Sequence, residues 1–230
     1  MSAPVAVRPV PLTALATRLL AGAVALGVRL VDGPAPAGTP VTFVVGESDA
    51  VLDLMHLVRT HGAAHSRVLV LSRLGAHPDA SVPSLQALWR LEEEARATGA
   101  PTLTLRTAPV VGEGAPLWAM LRTRPALPGG GRRLVDPVHE RDAIATLAHA
   151  LTTATWPAGE GWYELAGPER FAWSELAELA VRGPAPQAVP AWEPSLEEIG
   201  AHRLAESEPW LTDFAIAPTR LSTWASAGVA

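Results

Sequence analysis

The sequence of 230 residues contains no cysteine and no lysine. The absence of cysteine excludes disulfides, a thiolate nucleophile and zinc ligation by cysteine. Because all 18 basic residues are arginine, the chain can form neither a Schiff base nor a Tyr–Lys catalytic pair of its own. Only one tyrosine is present, Tyr163. These absences remove several common kinds of enzyme chemistry before any motif is considered.

The chain also lacks an excess of positive charge and a long apolar run. Its net charge is −5 and its pI is about 5.8, so no basic surface is expected to bind nucleic acid or an anionic membrane. Arg18 interrupts the apolar stretch near the N-terminus, and residues 19–28 are too few to span a bilayer. The sequence therefore predicts a soluble, cytoplasmic protein.

Short apolar runs alternate with helical patterns along most of the chain. Strands are predicted at residues 5–7, 28–32, 41–45, 68–71, 102–106 and 162–165, and helices at 12–26, 51–61, 83–98, 115–124, 143–153 and 173–181. This alternation predicts an α/β fold with a parallel sheet, in which residues 68–71 form the central strand. Asp142 is expected to cap the helix that follows it, and the acidic run 92–94 is expected to be solvated.

Polar residues follow the predicted strands at the sheet edge where open α/β folds bind ligands. We predict Ser72, His77 and Glu47 as catalytic candidates, with His77 or Glu47 as a general base. Arg73 and Thr107 are expected to contact substrate. The alternative is that Ser72 satisfies a backbone group at the strand end and that the others are solvated loop residues.

The sequence contains eight tryptophans but only three phenylalanines and one tyrosine. Trp118, Trp162, Trp192 and Trp210 lie in the second half of the chain and are predicted to contact substrate. Aromatic walls suit a bulky, apolar or polycyclic small molecule. Ordinary core filling is the alternative explanation. The tail after Pro184 is expected to fold over the strand ends as a lid.

The order and spacing of several segments resemble the atypical short-chain dehydrogenase/reductase superfamily, in particular its NmrA-like branch. The matching segments are RVLVLSRLGA at 67–76, RATGAP at 96–101, LRTAPVVG at 105–112, VHERDA at 138–143 and YELAGP at 163–168. The resemblance implies a Rossmann-like parallel sheet with a C-terminal substrate lobe, here a degenerate domain over residues 1–154 and a small lobe over 155–230. It gives Arg106 and His139 structural roles, a strand-end contact and a turn beside a helix cap.

The family's phosphate-binding turn, G-x-x-G-x-x-G, is missing. Its glycines fall on Val10, Thr13 and Ala16, and Pro11 has no N–H to donate to a phosphate. Residues 33–40 stand where the family has a helix, a strand and a second helix, and this connection is too short for a crossover. One wall of the family's adenine pocket is thereby lost.

The family's Tyr-x-x-x-Lys pair is missing as well. Its positions fall on Ser84 and Leu88, which can supply neither a phenol nor a positive charge. These departures predict that the protein uses no nicotinamide cofactor. No metal site is predicted, because His56, His61 and His65 do not form a ligand pattern with carboxylates.

The predicted function is that of a cofactor-independent cyclase, isomerase or lyase acting on a bulky apolar metabolite, as in the tailoring of secondary metabolites. Two alternatives remain. One is a non-catalytic protein, either an NmrA-like regulator or a partner subunit. The other is an NAD(P)H-dependent reductase that keeps the family's activity. The expected partner is a small molecule, and a homodimer is left open.

Overall fold

The computed structural model describes residues 6–10, 14–30, 40–46, 51–153, 155–156, 161–191, 195–199 and 204–227. The strands are β1 (Ala6–Pro9), β2 (Val41–Val45), β3 (Ser66–Arg73), β4 (Thr102–Thr107), β5 (Val110–Val111), β6 (Leu134–Val135), β7 (Val138–His139), β8 (Trp162–Leu165) and β9 (Phe171–Ala172). The helices are α1 (Ala14–Ala25), α2 (Val51–His61), α3 (Pro83–Ala97), α4 (Pro116–Arg122), α5 (Glu140–Thr152), α6 (Trp173–Arg182), α7 (Leu196–Ile199), α8 (Glu208–Asp213) and α9 (Leu221–Ala227). In these parts of the chain no helix is both long and apolar enough to cross a membrane.

The main sheet has five strands in the order β1-β2-β3-β4-β8, and β3 is the central one. The pairs β1–β2 and β2–β3 are parallel, with Pro9 opposite Val44 and Val45 opposite Val70. The predicted α/β class and the central position of residues 68–71 are therefore confirmed. The strand is longer than predicted, since it runs from residue 66 to residue 73.

The first strand, β1, pairs with other segments along both of its edges. Val7 forms an isolated parallel bridge with Leu30, and β2 pairs along the opposite edge of β1. The direction of strand succession thus reverses at β1, which makes its carboxyl end the topological switch point of the sheet. Residues 33–39, which replace the family's third strand and its helices, lie outside the described residues.

The chain divides into two compact units. The first comprises Met1–Arg106 and Ile144–Tyr163, and the second comprises Thr107–Ala143 and Glu164–Ala230. This division differs from the predicted boundary after residue 154, because residues 107–143 belong to the second unit. The first unit has an apolar core in which strand residues such as Phe43 and Val68 join helix residues from α2 and α3.

Carboxylates in the second unit hold its C-terminal segment. Asp142 accepts hydrogen bonds from the backbone N–H and the hydroxyl of Thr219, at 2.7 and 2.9 Å. The expectation that Asp142 caps a helix beginning at residue 143 is wrong, because α5 already begins at Glu140. Glu169 accepts a hydrogen bond from the backbone N–H of Ser222 at 3.0 Å. The described part of the tail after Pro184 contains α7, α8 and α9.

Candidate functional site

A buried carboxylate lies beside the end of the central strand. Glu92 of α3 is fully buried, and the hydroxyl of Ser72 donates a 2.6 Å hydrogen bond to its Oε1 atom. Arg106 of β4 donates from Nε to Oε1 at 3.1 Å and from Nη2 to Oε2 at 2.6 Å. The expectation that residue 92 is solvated is wrong, since it meets an arginine and a serine in the interior. The same buried carboxylate accepts hydrogen bonds from Ser72 and Arg106, so the hydroxyl of Ser72 is used in packing α3 against β3, and the contact favours a structural role for Ser72.

Two further side chains complete this cluster. The guanidinium carbon of Arg106 lies 4.9 Å from the ring centroid of Trp162, which is half-buried. Arg96 approaches the Glu92 carboxylate at 3.9 Å and also pairs with Glu93. Trp162, predicted to contact substrate, therefore has one ring face against an arginine.

The other polar residues of the predicted strand-end site differ in exposure. The side chain of His77 is 64% exposed, and its Nδ1 accepts a 3.2 Å hydrogen bond from the backbone N–H of Asp79. Arg73 is half-buried and Thr107 is buried. Glu47 lies outside the described residues. The exposure of the His77 side chain agrees with the alternative that it is a solvated loop residue.

Two of the tryptophans predicted to contact substrate are fully buried. Trp118 donates from Nε1 to the carbonyl oxygen of Pro184 at 3.1 Å, and Trp210 likewise has no exposed surface. Both contribute to the core of the second unit in this conformation. Trp192 lies outside the described residues.

His139 is a buried histidine that the sequence analysis did not place in a site. It ends β7 directly before α5, and its Nδ1 accepts a 3.2 Å hydrogen bond from the backbone N–H of Arg141, in the first turn of that helix. Its Nε2 atom is buried and has no hydrogen-bond partner among the described residues. The ring centroid of Trp224 lies 4.6 Å from that of His139, with the two ring planes 71° apart, and it lies 4.9 Å from the ring centroid of Trp118.

The surroundings of His139 set its charge. Burial lowers the pKa of His139 below its ordinary value, while the carboxylates of Asp142, Glu140 and Glu113 oppose this and Arg141 adds to it. The imidazole is therefore neutral at neutral pH. Because Nδ1 accepts a hydrogen bond, the single ring hydrogen is on Nε2.

This neutral histidine predicts an acid-sensitive fold. The free energy of unfolding should be at its full value above about pH 6.5, the ordinary histidine pKa. It should decline as the pH falls towards the lower pKa of folded His139, because the unfolded imidazole takes up a proton that the folded one resists. Urea denaturation between pH 8 and pH 5 measures this decline. His139→Asn should reduce it, and equal pH profiles for both proteins would contradict the assignment.

The described residues do not suit a dinucleotide bound in the manner of the resembled family. Val10, at the first glycine position of the phosphate turn, belongs to the same buried core cluster as Phe43 and Val45. Its backbone N–H donates to the carbonyl oxygen of Val44 at 2.9 Å and is not available to a phosphate. Leu88, at the lysine position, belongs to that cluster too, and Ser84, at the tyrosine position, is exposed.

No family model matches the sequence, and no curated protein matches it. Among solved structures, MoeE5 in complex with UDP-glucose and NAD is similar at a TM-score of 0.67 and 16% identity, covering 98% of this chain and 97% of that one. The Citrobacter sp. triphenylmethane reductase complexed with NADP(H) has a TM-score of 0.67 at 14% identity, covering 97% and 99%. The GalE-like L-threonine dehydrogenase from Cupriavidus necator has a TM-score of 0.64 at 14% identity, and the match covers 99% of this chain and 99% of that one. The chain therefore has a Rossmann-like fold, which it shares with these three solved structures and which its sequence predicts.

Proposed function

We propose that the protein binds a bulky, apolar small molecule and acts on it as a cyclase, isomerase or lyase without a nicotinamide cofactor. One observation carries the proposal. Val10 and Leu88 stand at positions where the resembled family holds its cofactor, and both are part of one hydrophobic core cluster. The fold is thus retained, but at two positions where the resembled family contacts its cofactor this chain has side chains packed in the hydrophobic core.

The physical consequence of these two residues is direct. A phosphate turn needs glycine so that the backbone can approach the pyrophosphate, and it needs N–H groups that point at the ligand. At position 10 the branched side chain is buried, and the N–H is bonded to β2. At position 88 the buried leucine offers no charge to a ribose or to a catalytic phenol.

A protein of this kind is restricted to reactions that need no hydride donor. Ring closure, isomerisation and elimination require only a bound conformation and proton transfer. Ser72, His77 and Glu47 stay predicted polar contacts of the first unit, and the cytoplasm stays the predicted location. The Ser72–Glu92 hydrogen bond and the exposure of His77 give weight to the non-catalytic alternative, a regulator or partner subunit that binds the same class of molecule.

An NAD(P)H-dependent reductase is the second candidate function. It is favoured by the similarity in fold to MoeE5, solved with NAD, and to the triphenylmethane reductase, solved with NADP(H), over nearly the whole of each chain. The two candidates differ in one measurable property, which is affinity for the cofactor.

Calorimetric titration separates the two candidates. We expect no binding of NAD, NADH, NADP or NADPH, and saturable one-to-one binding of 1,4-naphthoquinone, a small polycyclic ketone. A quinone is a safe probe here because cysteine and lysine side chains, its usual covalent targets, are absent. A dissociation constant below about 100 μM for any nicotinamide form, about −5.5 kcal/mol, would contradict the cofactor-independent function and favour the reductase.

A further inference from the structure

We propose that His139 donates a hydrogen bond from Nε2 to a carbonyl or phenolic oxygen of the bound small molecule, within the second unit. This inference rests on the proposed function for the class of molecule bound, and it places the recognising group in the second unit instead of among residues 47, 72 and 77 of the first unit. Nothing in the resemblance assigns His139 to a ligand.

The tautomer of His139 is determined by its place at a helix start. The N–H of Arg141 points at Nδ1, which must therefore carry a lone pair. The positive end of the α5 dipole also disfavours a second proton on the ring. A neutral imidazole in this position is a fixed hydrogen-bond donor at Nε2, the arrangement by which a histidine at a helix N-terminus polarises a carbonyl.

The donor is buried and lacks an acceptor. His139 is only 7% exposed, and no described residue accepts a hydrogen bond from its Nε2. Buried polar groups nearly always have a partner, because an unpaired donor loses its hydration without compensation. An acceptor oxygen from a ligand would supply what the described protein atoms do not.

The aromatic residues around His139 indicate the rest of the ligand. The ring plane of Trp224 is inclined at 71° to the imidazole, and Trp224 is half-buried, whereas Trp118, whose ring centroid lies 4.9 Å from that of Trp224, is fully buried. Of the three rings of His139, Trp224 and Trp118, that of Trp224 is therefore the most exposed to solvent. The backbone near it is anchored through Ser222 and Glu169, so we expect the indole to make room by turning its side chain while α9 stays in place. A flat aromatic ring with an acceptor oxygen fits an N–H donor beside an indole.

The test compares two probes and two substitutions. The probes are 1,4-naphthoquinone and naphthalene, which share a ring frame but differ in carbonyl oxygens. His139→Ser keeps a side-chain oxygen that can accept the Arg141 N–H and removes the donor. We expect its dissociation constant for the quinone to rise about tenfold, the loss of one hydrogen bond, and that for naphthalene to stay unchanged. His56→Ser, at an exposed histidine of α2, is the matched control and should bind both probes as the wild type does.

A spectroscopic readout distinguishes a ligand contact from a structural role. In protein carrying ¹⁵N-labelled histidine, the Nε2 proton of His139 should shift when the quinone saturates the wild type and should stay unmoved with naphthalene. An unchanged resonance, as expected if Nε2 holds a buried water only, overturns the inference. Equal quinone affinity in His139→Ser and wild type also overturns it while leaving the proposed function in place. Failure of the wild type to bind the quinone overturns both.

Discussion

Replacing Glu92 by alanine is expected to lower the free energy of unfolding by about 3–5 kcal/mol, the range seen when one partner of a buried ion pair is removed. The substitution leaves the guanidinium of Arg106, which is 13% exposed, without the carboxylate that takes two of its N–H groups. The hydroxyl of Ser72 loses its acceptor in the same step. Urea denaturation monitored by tryptophan fluorescence measures the change.

Glu93→Ala is the matched control for this prediction. Glu93 is the next residue along α3, also pairs with an arginine, and is 49% exposed, so its removal should change the unfolding free energy by no more than about 0.5 kcal/mol. The double substitution Glu92→Met and Arg106→Met removes both charges together and should regain most of the lost stability. If Glu92→Ala and Glu93→Ala unfold alike, the buried pair is not what holds α3 to the sheet.

The sequence predicts the strands of the main sheet well because their signal is local. The apolar runs at 41–45 and 162–165 coincide with β2 and β8. β2 is buried along its whole length, whereas the edge strand β8 alternates between half-buried and buried residues, and both patterns can be recognised without knowledge of the neighbouring strands. The resemblance adds the order of the strands, and the similar solved structures confirm the fold.

The burial of Glu92 shows what a local pattern conceals. Three consecutive glutamates suggest an exposed face, yet position 92 continues the inward stripe of Leu85 and Leu88 at helical spacing, and Ala95 follows three residues later. The phase of the helix thus contained the signal. The identity of its partner could not be predicted in this way, because Arg106 lies on β4 and only the fold brings it to Glu92 on α3.

The second unit was less predictable for a different reason. Its strands β6 and β9 have two residues each and pair antiparallel, with Val135 opposite Phe171. Two residues carry no periodicity, so such a pair is determined by tertiary contacts alone. The same holds for His139, whose contact with Trp224 joins residues far apart in sequence and could not be read from either segment.

Trp118→Ala should be as damaging as the loss of Glu92, with an expected cost of about 3–5 kcal/mol, typical of truncating a large buried aromatic side chain. Trp118 has no exposed surface, stacks near Trp224 and donates to the carbonyl oxygen of Pro184. Its removal opens a cavity and leaves that carbonyl with one donor fewer. Chemical denaturation provides the measurement, and Trp118→Phe provides a milder variant in case the alanine protein does not fold.

The phenylalanine variant also decides between the two explanations of this residue. If Trp118 is core, Trp118→Phe should lower the stability, because it loses ring area and the indole N–H, while the affinity for 1,4-naphthoquinone stays at the wild-type value. If Trp118 is instead a substrate wall, the affinity should fall while the stability is retained, because an exposed wall contributes little to folding. Full burial of the indole favours the first outcome. A variant that is as stable as the wild type but binds the quinone more weakly would return Trp118 to the set of substrate contacts.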